Sequence, residues 1–396
     1  MSLKSPRFVL PVIVFSQFAG TSLWFAGNAV LPDLILELSL DLSAVGHITM
    51  AVQAGFIIGT LVFATLNIAD RYSPVKVFFT CSLLGAMFNL SAIISSGYMS
   101  LLMVRFMTGF FLAGIYPVGM KIASDWHKQG LGKALGYLVG ALVLGTAFPH
   151  FLKFAGSDFP WRFVMISTSI LSVSGGLLLL LTVNDGPFGG SKGSFKPSVM
   201  FRLFSDKNFR SAAFGYFGHM WELYTFWAFV PVMLAYYNTE MATVLNIPIW
   251  SFVIIASGGI SCIIGGYISL RKGSKFVSSA SLMVSGVCCL ISPFIFNLPV
   301  WAFLSILLVW GISVVSDSPQ FSTLVARSAD RSYVATGLTL VNSLGFAITI
   351  LSIQLLTYMW MEYVDPRVLL ILFIGPLFGL LSIKKYQINS ATLKHN

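Results

Sequence analysis

His219 and Glu222 stand three residues apart within GYFGHMWELYTFWAFVPVML (215–234), a stretch otherwise almost wholly aromatic and aliphatic. On a helix they share one face about a turn apart. Asp317, in VWGISVVSDSPQF (309–321), and Arg105, in LMVRFMTGFFLAG (102–114), sit in equally apolar surroundings. A His-x-x-Glu pair suggests a metal or hydrolytic centre, but zinc needs at least a third protein ligand and the sequence offers none. Proton exchange fits better. Burial raises a carboxyl toward neutrality, and imidazole already titrates there. Each group also has a structural reading. His219 can bond a backbone carbonyl, Glu222 can stay protonated, Asp317 can serve backbone groups freed by Pro319, and Arg105 can snorkel to a headgroup. Burying an unpaired charge at mid-bilayer costs about 2.5 kcal/mol or more, so a functional reading is favoured.

These groups need a bilayer around them, and the composition supplies one. Of 396 residues, 56% are hydrophobic and 10% charged, with 35 phenylalanines, and mean hydropathy is +0.85. A soluble chain of this length needs far more charge. Apolar runs long enough for a helix to cross about 30 Å of hydrocarbon recur along the chain. They predict twelve spans, near 9–31, 44–66, 76–95, 101–123, 132–152, 162–183, 211–236, 247–270, 277–297, 300–325, 334–357 and 366–384. The runs are continuous rather than alternating, which argues against a β-barrel. The fold class expected is therefore an all-α polytopic membrane protein. The first apolar run has no small-residue cleavage site after it and reads as span 1 rather than a signal peptide.

The net charge of +10 is unevenly placed. Lys4, Arg7, Arg71, Lys76, Lys121, Lys128, Lys133, Lys192, Lys196, Arg202, Lys207, Arg210, Arg271, Lys272, Lys275, Arg327, Arg331, Lys384, Lys385 and Lys394 fall on one side, 20 of the 24 basic residues. Only Lys153, Arg162 and Arg367 fall on the other, with Arg105 inside the membrane. The asymmetry places both termini in the cytoplasm, and the charge orients the chain rather than binding nucleic acid. Cys81, Cys262, Cys288 and Cys289 all lie within spans and form no disulfide or metal pattern.

One long hydrophilic stretch, NDGPFGGSKGSFKPSVMFRLFSDKNFR (184–210), reads as a cytoplasmic linker carrying a short surface helix. It divides the chain into a six-helix half at 1–183 and another at 211–396. The halves echo each other at an offset near 200: Gly109 and Pro117 match Gly311 and Pro319, Arg71 matches Arg271, and Gly136 matches Gly337. Internal repeats of this kind mark transporter folds.

The loop after span 2, LNIADRYSPVKVF (66–78), is similar to the cytoplasmic signature Gly-x-x-x-Asp-Arg-x-Gly-x-basic-basic of the major facilitator superfamily. Asp70, Arg71 and Lys76 match it, while Leu66 and Ser73 replace its glycines. The second-half loop GYISLRKGSK (266–275) keeps Gly266 and Gly273 but has Leu270 at the acidic position. Arg105 and Gly109 resemble the superfamily's Arg-x-x-x-Gly motif in span 4. Span 5, GYLVGALVLGTAFPHFL (136–152), lacks the Gly-Pro-x-x-Gly-Gly of many drug antiporters, and its glycines read as packing sites.

The resemblance covers nearly the whole chain and implies two pseudo-symmetric six-helix halves, with spans 1, 4, 7 and 10 lining a central cavity. It further implies a gate of Asp70, Arg71, Lys76, Arg271 and Lys275, with Asp70 meeting a helix N-terminus of the other half. Glu222, His219, Asp317 and Arg105 become proton-coupling candidates. Trp24, Asn28, Arg105, Tyr116, Lys121, His219, Glu222, Asp317, Gln320 and Asn342 become substrate-binding candidates, with Lys121 equally readable as a lysine at a helix end. The expected function is alternating-access transport of a small solute by a monomer in the plasma (bacterial inner) membrane. No Gly-x-x-x-x-Gly-Lys-Ser/Thr loop occurs, so the energy source expected is a proton and no cofactor is implied. Arg105 and Lys121 tilt the substrate toward an organic or inorganic anion, metal-chelating carboxylates included. Export of lipophilic or cationic compounds, or a transport-dead sensor, are the alternatives; no nucleophile or complete metal set points to an enzyme.

Overall fold

The computed structural model describes residues 6–41, 43–127, 131–188, 199–330 and 333–387. Of the basic residues above, Lys4, Lys128, Lys192, Lys196, Arg331 and Lys394 lie outside the described residues. Twelve helical crossings appear in the expected order. Span 1 is Pro6–Thr21, Ala26–Ala29 and Leu31–Leu38; span 2 is Ala44–Thr65; span 3 is Pro74–Ile94; span 4 is Tyr98–Leu112 and Tyr116–Trp126. Spans 5 and 6 are Leu131–Ala155 and Arg162–Thr182, and a short helix, Met200–Ser205, precedes span 7 at Lys207–Glu240. Spans 8 and 9 are Ile247–Lys272 and Ser274–Asn297, span 10 is Val300–Ser316 and Ser318–Ser328, and spans 11 and 12 are Val334–Tyr363 and Pro366–Lys384. The face holding the ends of the chain is called here the terminal face, and the other the far face.

Ten helices among the described residues are long and apolar enough to cross a bilayer by length and composition. Spans 1 and 7 complete the set in different ways. Span 7 is 34 residues long and is diluted by its own histidine, glutamate and tyrosines. Span 1 is interrupted. Thr21 Oγ1 donates to Gln17 O at 2.8 Å and Ser22 Oγ to Ala19 O at 2.7 Å, the kind of local bond that competes with the helical ladder. Span 1 therefore runs past the expected 31 to Leu38, and span 11 past 357 to Tyr363, because their last turns are amphipathic and hydropathy alone cuts them short. Spans 4 and 10 break just before Pro117 and Pro319, whose missing N–H leaves the carbonyl four residues back unpaired.

The internal echo is structural at two of the matched positions. A Cβ on Gly109 would lie 2.0 Å from Val52 O, and one on Gly311 would lie 2.2 Å from Ile254 O. Both pairs carry the same offset, so span 4 meets span 2 as span 10 meets span 8. Gly136 and Gly337 differ: the first faces Cys262 of span 8, the second the Phe209 ring of span 7. Between the halves, spans 5 and 8 pack together, as do spans 2 and 11. A Cβ on Gly140 would sit 2.9 Å from Gly259 O, so the span 5–span 8 seam is backbone against backbone.

Overpacking of this kind costs about 1–3 kcal/mol. Gly109→Val and Gly311→Val should each lower the unfolding temperature in detergent, while Gly266→Ala, with open space around it, should leave it unchanged. Equal melting of all three would show that the close approaches are not needed.

Candidate functional site

Arg105 is fully buried in the first half. Its Nη2 donates to Leu23 O at 3.0 Å and Trp24 O at 2.8 Å, and Nη1 donates to Asn89 Oδ1 at 2.8 Å. Those carbonyls belong to the interruption of span 1, where partial negative charge collects at a helix C-terminus. Gly27 makes the approach possible, since a Cβ there would lie 3.1 Å from Arg105 Nε. Asn89 is held in turn by Met165 O, Thr168 and Ser169 of span 6. Arg105 neither snorkels nor presents its amino groups to the space between the halves. It fixes the backbone of Trp24.

The Trp24 ring stacks on Tyr224 of span 7 and Phe346 of span 11, with centroids 5.7 and 5.5 Å apart, and lies 4.8 Å from Phe56 of span 2. Phe56 and Phe346 meet at 4.5 Å. Four rings from both halves thus form one layer, all nearly inaccessible to solvent, and the protein is closed at its centre. Phe25 and Trp227 extend the layer toward the far face. Several buried polar atoms around it have no partner among the described residues: Trp24 Nε1, Trp227 Nε1, Asn28 Oδ1 and the side-chain amide of Gln53. Asn28 Nδ2 donates to Thr49 Oγ1 at 2.7 Å, which fixes its orientation.

On the terminal side of the layer, His219 Nδ1 lies 2.8 Å from Asp317 Oδ1 and both side chains are buried. Asp317 sits at the break of span 10. The Val315 carbonyl freed by Pro319 accepts from Cys262 Sγ at 3.3 Å and from the Asp317 backbone N–H, and the Asp317 carboxyl faces His219. Glu222 goes elsewhere. It accepts from Trp310 Nε1 at 2.6 Å, Ser285 Oγ at 2.9 Å and Cys289 Sγ at 3.3 Å. The sequence pairs His219 with Glu222 by spacing, but the offset of about 60° between them sends one to the break in span 10 and the other between spans 9 and 10. Tyr116 and Gln320 are buried just beyond the two proline breaks, and Asn342 is half-buried on span 11.

Lys121 pairs with Asp70 at 3.0 Å and Asp125 at 3.2 Å. The partner that Asp70 shows is therefore a lysine of its own half, reached because the loop after span 2 folds over the end of span 4; residues 331 and 332, before span 11, lie outside the described residues. The same knot holds the linker: Ser73 Oγ donates to Asp185 Oδ1 at 2.7 Å and Trp126 Nε1 to Asn184 O at 3.0 Å. Arg71, Lys76 and Arg271 are exposed. Lys275 Nζ donates to Tyr386 O at 2.6 Å and Lys384 O at 3.2 Å. Among the described residues no cluster of His, Cys, Asp and Glu is gathered as a metal site. Thus both cations expected at the cavity, Arg105 and Lys121, are engaged within the first half. Sequence reading also passed over Gln53, His150, Tyr224 and Trp227; Gln53 and His150 were findable as polar residues inside apolar spans.

Twelve crossings in two sets, closed over a shared aromatic layer with ionisable groups buried beside it, make the fold of a polytopic membrane protein. Residues 13–353 match the family described as Major Facilitator Superfamily, and the chain belongs to it. It is 28% identical over 190 residues to the high affinity nitrate transporter 2.7 of Arabidopsis thaliana, covering 46% of this chain and 38% of that one. It is 26% identical over 201 residues to the 3-(3-hydroxy-phenyl)propionate transporter of Escherichia coli (strain K12), covering 50% and 49%. The aligned chain thus spans less than half the length of either relative. The fold is similar to the crystal structure of the nucleoside transporter NupG, with TM-score 0.72 and 15% identity over 96% of this chain and 100% of that one. The chain is a multi-pass membrane protein of this superfamily.

Two substitutions test the site. Arg105→Lys keeps the charge but cannot reach Asn89 and both carbonyls together; transport should fall at least about tenfold, the equivalent of one lost bond to a charged group. Near-normal transport would remove Arg105 from the assembly of the seam. Asp70→Asn should slow transport while leaving solute affinity in place, because it alters the balance between states rather than the layer; unchanged flux would reduce Asp70 to a loop charge.

Proposed function

We propose that this protein carries a small organic solute with a flat, aromatic or conjugated body and oxygen acceptors, loaded together with a proton. The observation that carries this reading is the aromatic layer between the halves with the unpartnered indole N–H groups of Trp24 and Trp227 beside it. Stacked rings suit a planar solute, and buried N–H donors suit an oxygen acceptor, since leaving them unpaired is costly. The His219–Asp317 pair stands five residues from Tyr224 on span 7, about 7.5 Å along the helix axis.

In the ion-paired form, His219 and Asp317 tie span 7 to the break in span 10. A proton on Asp317 removes the attraction and leaves the protonated imidazole free to take a solute carboxylate in its place. Proton and anion then enter together and the site stays neutral, which avoids moving a bare charge through hydrocarbon. Solute binding that favours one packing of the halves shifts the equilibrium between states, giving alternating access. Glu222, held by three donors inside the second half, ties span 7 to spans 9 and 10. The similarity to a transporter named for 3-(3-hydroxy-phenyl)propionate is in keeping with this solute class. The distribution of basic residues supports cytoplasmic termini in a plasma (bacterial inner) membrane, and every element of the site lies on one chain, consistent with a working monomer.

Proteoliposomes test the reading directly. Uptake of 3-(3-hydroxyphenyl)propionate or a related aromatic carboxylate should be concentrative under an inward proton gradient, lost when the gradient is dissipated, and indifferent to ATP. Asp317→Asn should abolish the concentrative component and retain exchange, whereas Glu222→Gln should remain coupled but melt earlier. Concentrative uptake by Asp317→Asn with the usual pH dependence would overturn the assignment.

A further inference from the structure

His150 is a buried histidine of span 5 that the coupling scheme does not use. Its Nε2 has no partner among the described residues, and the residue is 3% exposed. The neighbours of span 5 fix its depth. Gly145 abuts Thr21 and Phe18 of span 1, while Lys153 Nζ reaches Asp33 at 2.8 Å. Spans 1 and 5 run in the same direction, so His150 lies level with the segment between Thr21 and Asp33, and Ala26–Ala29 packs against span 5. Its face is fixed by helical periodicity. Val143, Thr146 and His150 form one stripe, and Val143 stands 3.6 Å from where a Cβ on Gly258 of span 8 would be. The stripe therefore faces the seam between the halves. Thr146 Oγ1, a turn below His150, is likewise buried and unpartnered.

We propose that His150, with Asn28 and Trp227, forms a second polar end of the transport site, on the far side of the aromatic layer. Asn28 Oδ1 accepts, Trp227 Nε1 donates, and the imidazole can do either, so the group they suit is one with both a donor and an acceptor: a hydroxyl or a second acid function. This rests on the reading of the seam as the transport path and adds a length to it. Trp227 is eight residues from His219 on span 7, about 12 Å along the axis. The solute is then elongated, with a carboxylate at His219, a flat body in the layer and a hydroxyl-bearing end at His150.

Two measurements decide it. His150→Cys in right-side-out vesicles should react with a membrane-impermeant methanethiosulfonate cation at least tenfold faster than the wild type, whose four cysteines are buried. Phe148→Cys, whose native ring packs on Phe18 and Phe151, should stay unreactive. Inertness of His150→Cys from both faces while Gln53→Cys reacts would overturn the placement. In the second measurement, tryptophan fluorescence of the purified protein is titrated with 3-(3-hydroxyphenyl)propionate and with 3-phenylpropionate, which lacks the hydroxyl. The wild type should prefer the hydroxylated acid at least fivefold and His150→Phe should lose that preference; a preference retained in His150→Phe would overturn the recognition role. If the wild type binds neither acid, the aromatic-carboxylate reading fails on its own, and the labelling result still places or removes His150 in the path.

Discussion

A single guanidinium makes the closed centre possible. The interruption of span 1 exposes carbonyls in a region where no water can reach them, and each unsatisfied group there costs several kcal/mol. Arg105 takes two of those carbonyls and ties them to Asn89 on span 3, while Asn89 is anchored to span 6. The interruption is thereby a fixed shape rather than a fray. Only with the Trp24 backbone held there can its ring lie flat against Tyr224 and Phe346 of the other half. The layer between the halves is built outward from that cation.

The second half solves a related problem with the opposite sign. Glu222 draws in an indole, a hydroxyl and a thiol from spans 9 and 10, where Arg105 draws in carbonyls and an amide. Cys262 serves the carbonyl that Pro319 strands, and the Asp317 carboxyl lies against His219. A thiol that packs like a small hydrophobe can do this without adding a charge.

Much of this was legible in the residues. Apolar run length set the twelve crossings, and the glycines and prolines at matched offsets marked both close packing and the breaks of spans 4 and 10. His219 and Asp317 stand out as ionisable residues in apolar runs, and they meet. What spacing could not supply was azimuth. His219 and Glu222 share a helix face only loosely, and which neighbour each meets depends on how span 7 is rotated in the bundle. Arg105 was read as facing a cavity because an interruption in span 1 leaves no clear mark in a hydropathy profile; the clue was Thr21–Ser22 followed by Gly27. Lys121 was drawn toward the substrate by composition, whereas the fold of the loop after span 2 brings Asp70 to it.

The equal offsets of Gly109 with Gly311 and Val52 with Ile254 repeat one backbone contact in both halves. What diverged is the sign of the charge each unit hides. Beside the aromatic layer, a chain made of two first halves would bury two guanidiniums, and one made of two second halves would bury four carboxylates with two histidines. Neither could be exchanged for its sister, although both repeat the same glycine contact. The copies have become heterologous parts of one machine, and further drift in either is constrained by a partner it no longer resembles.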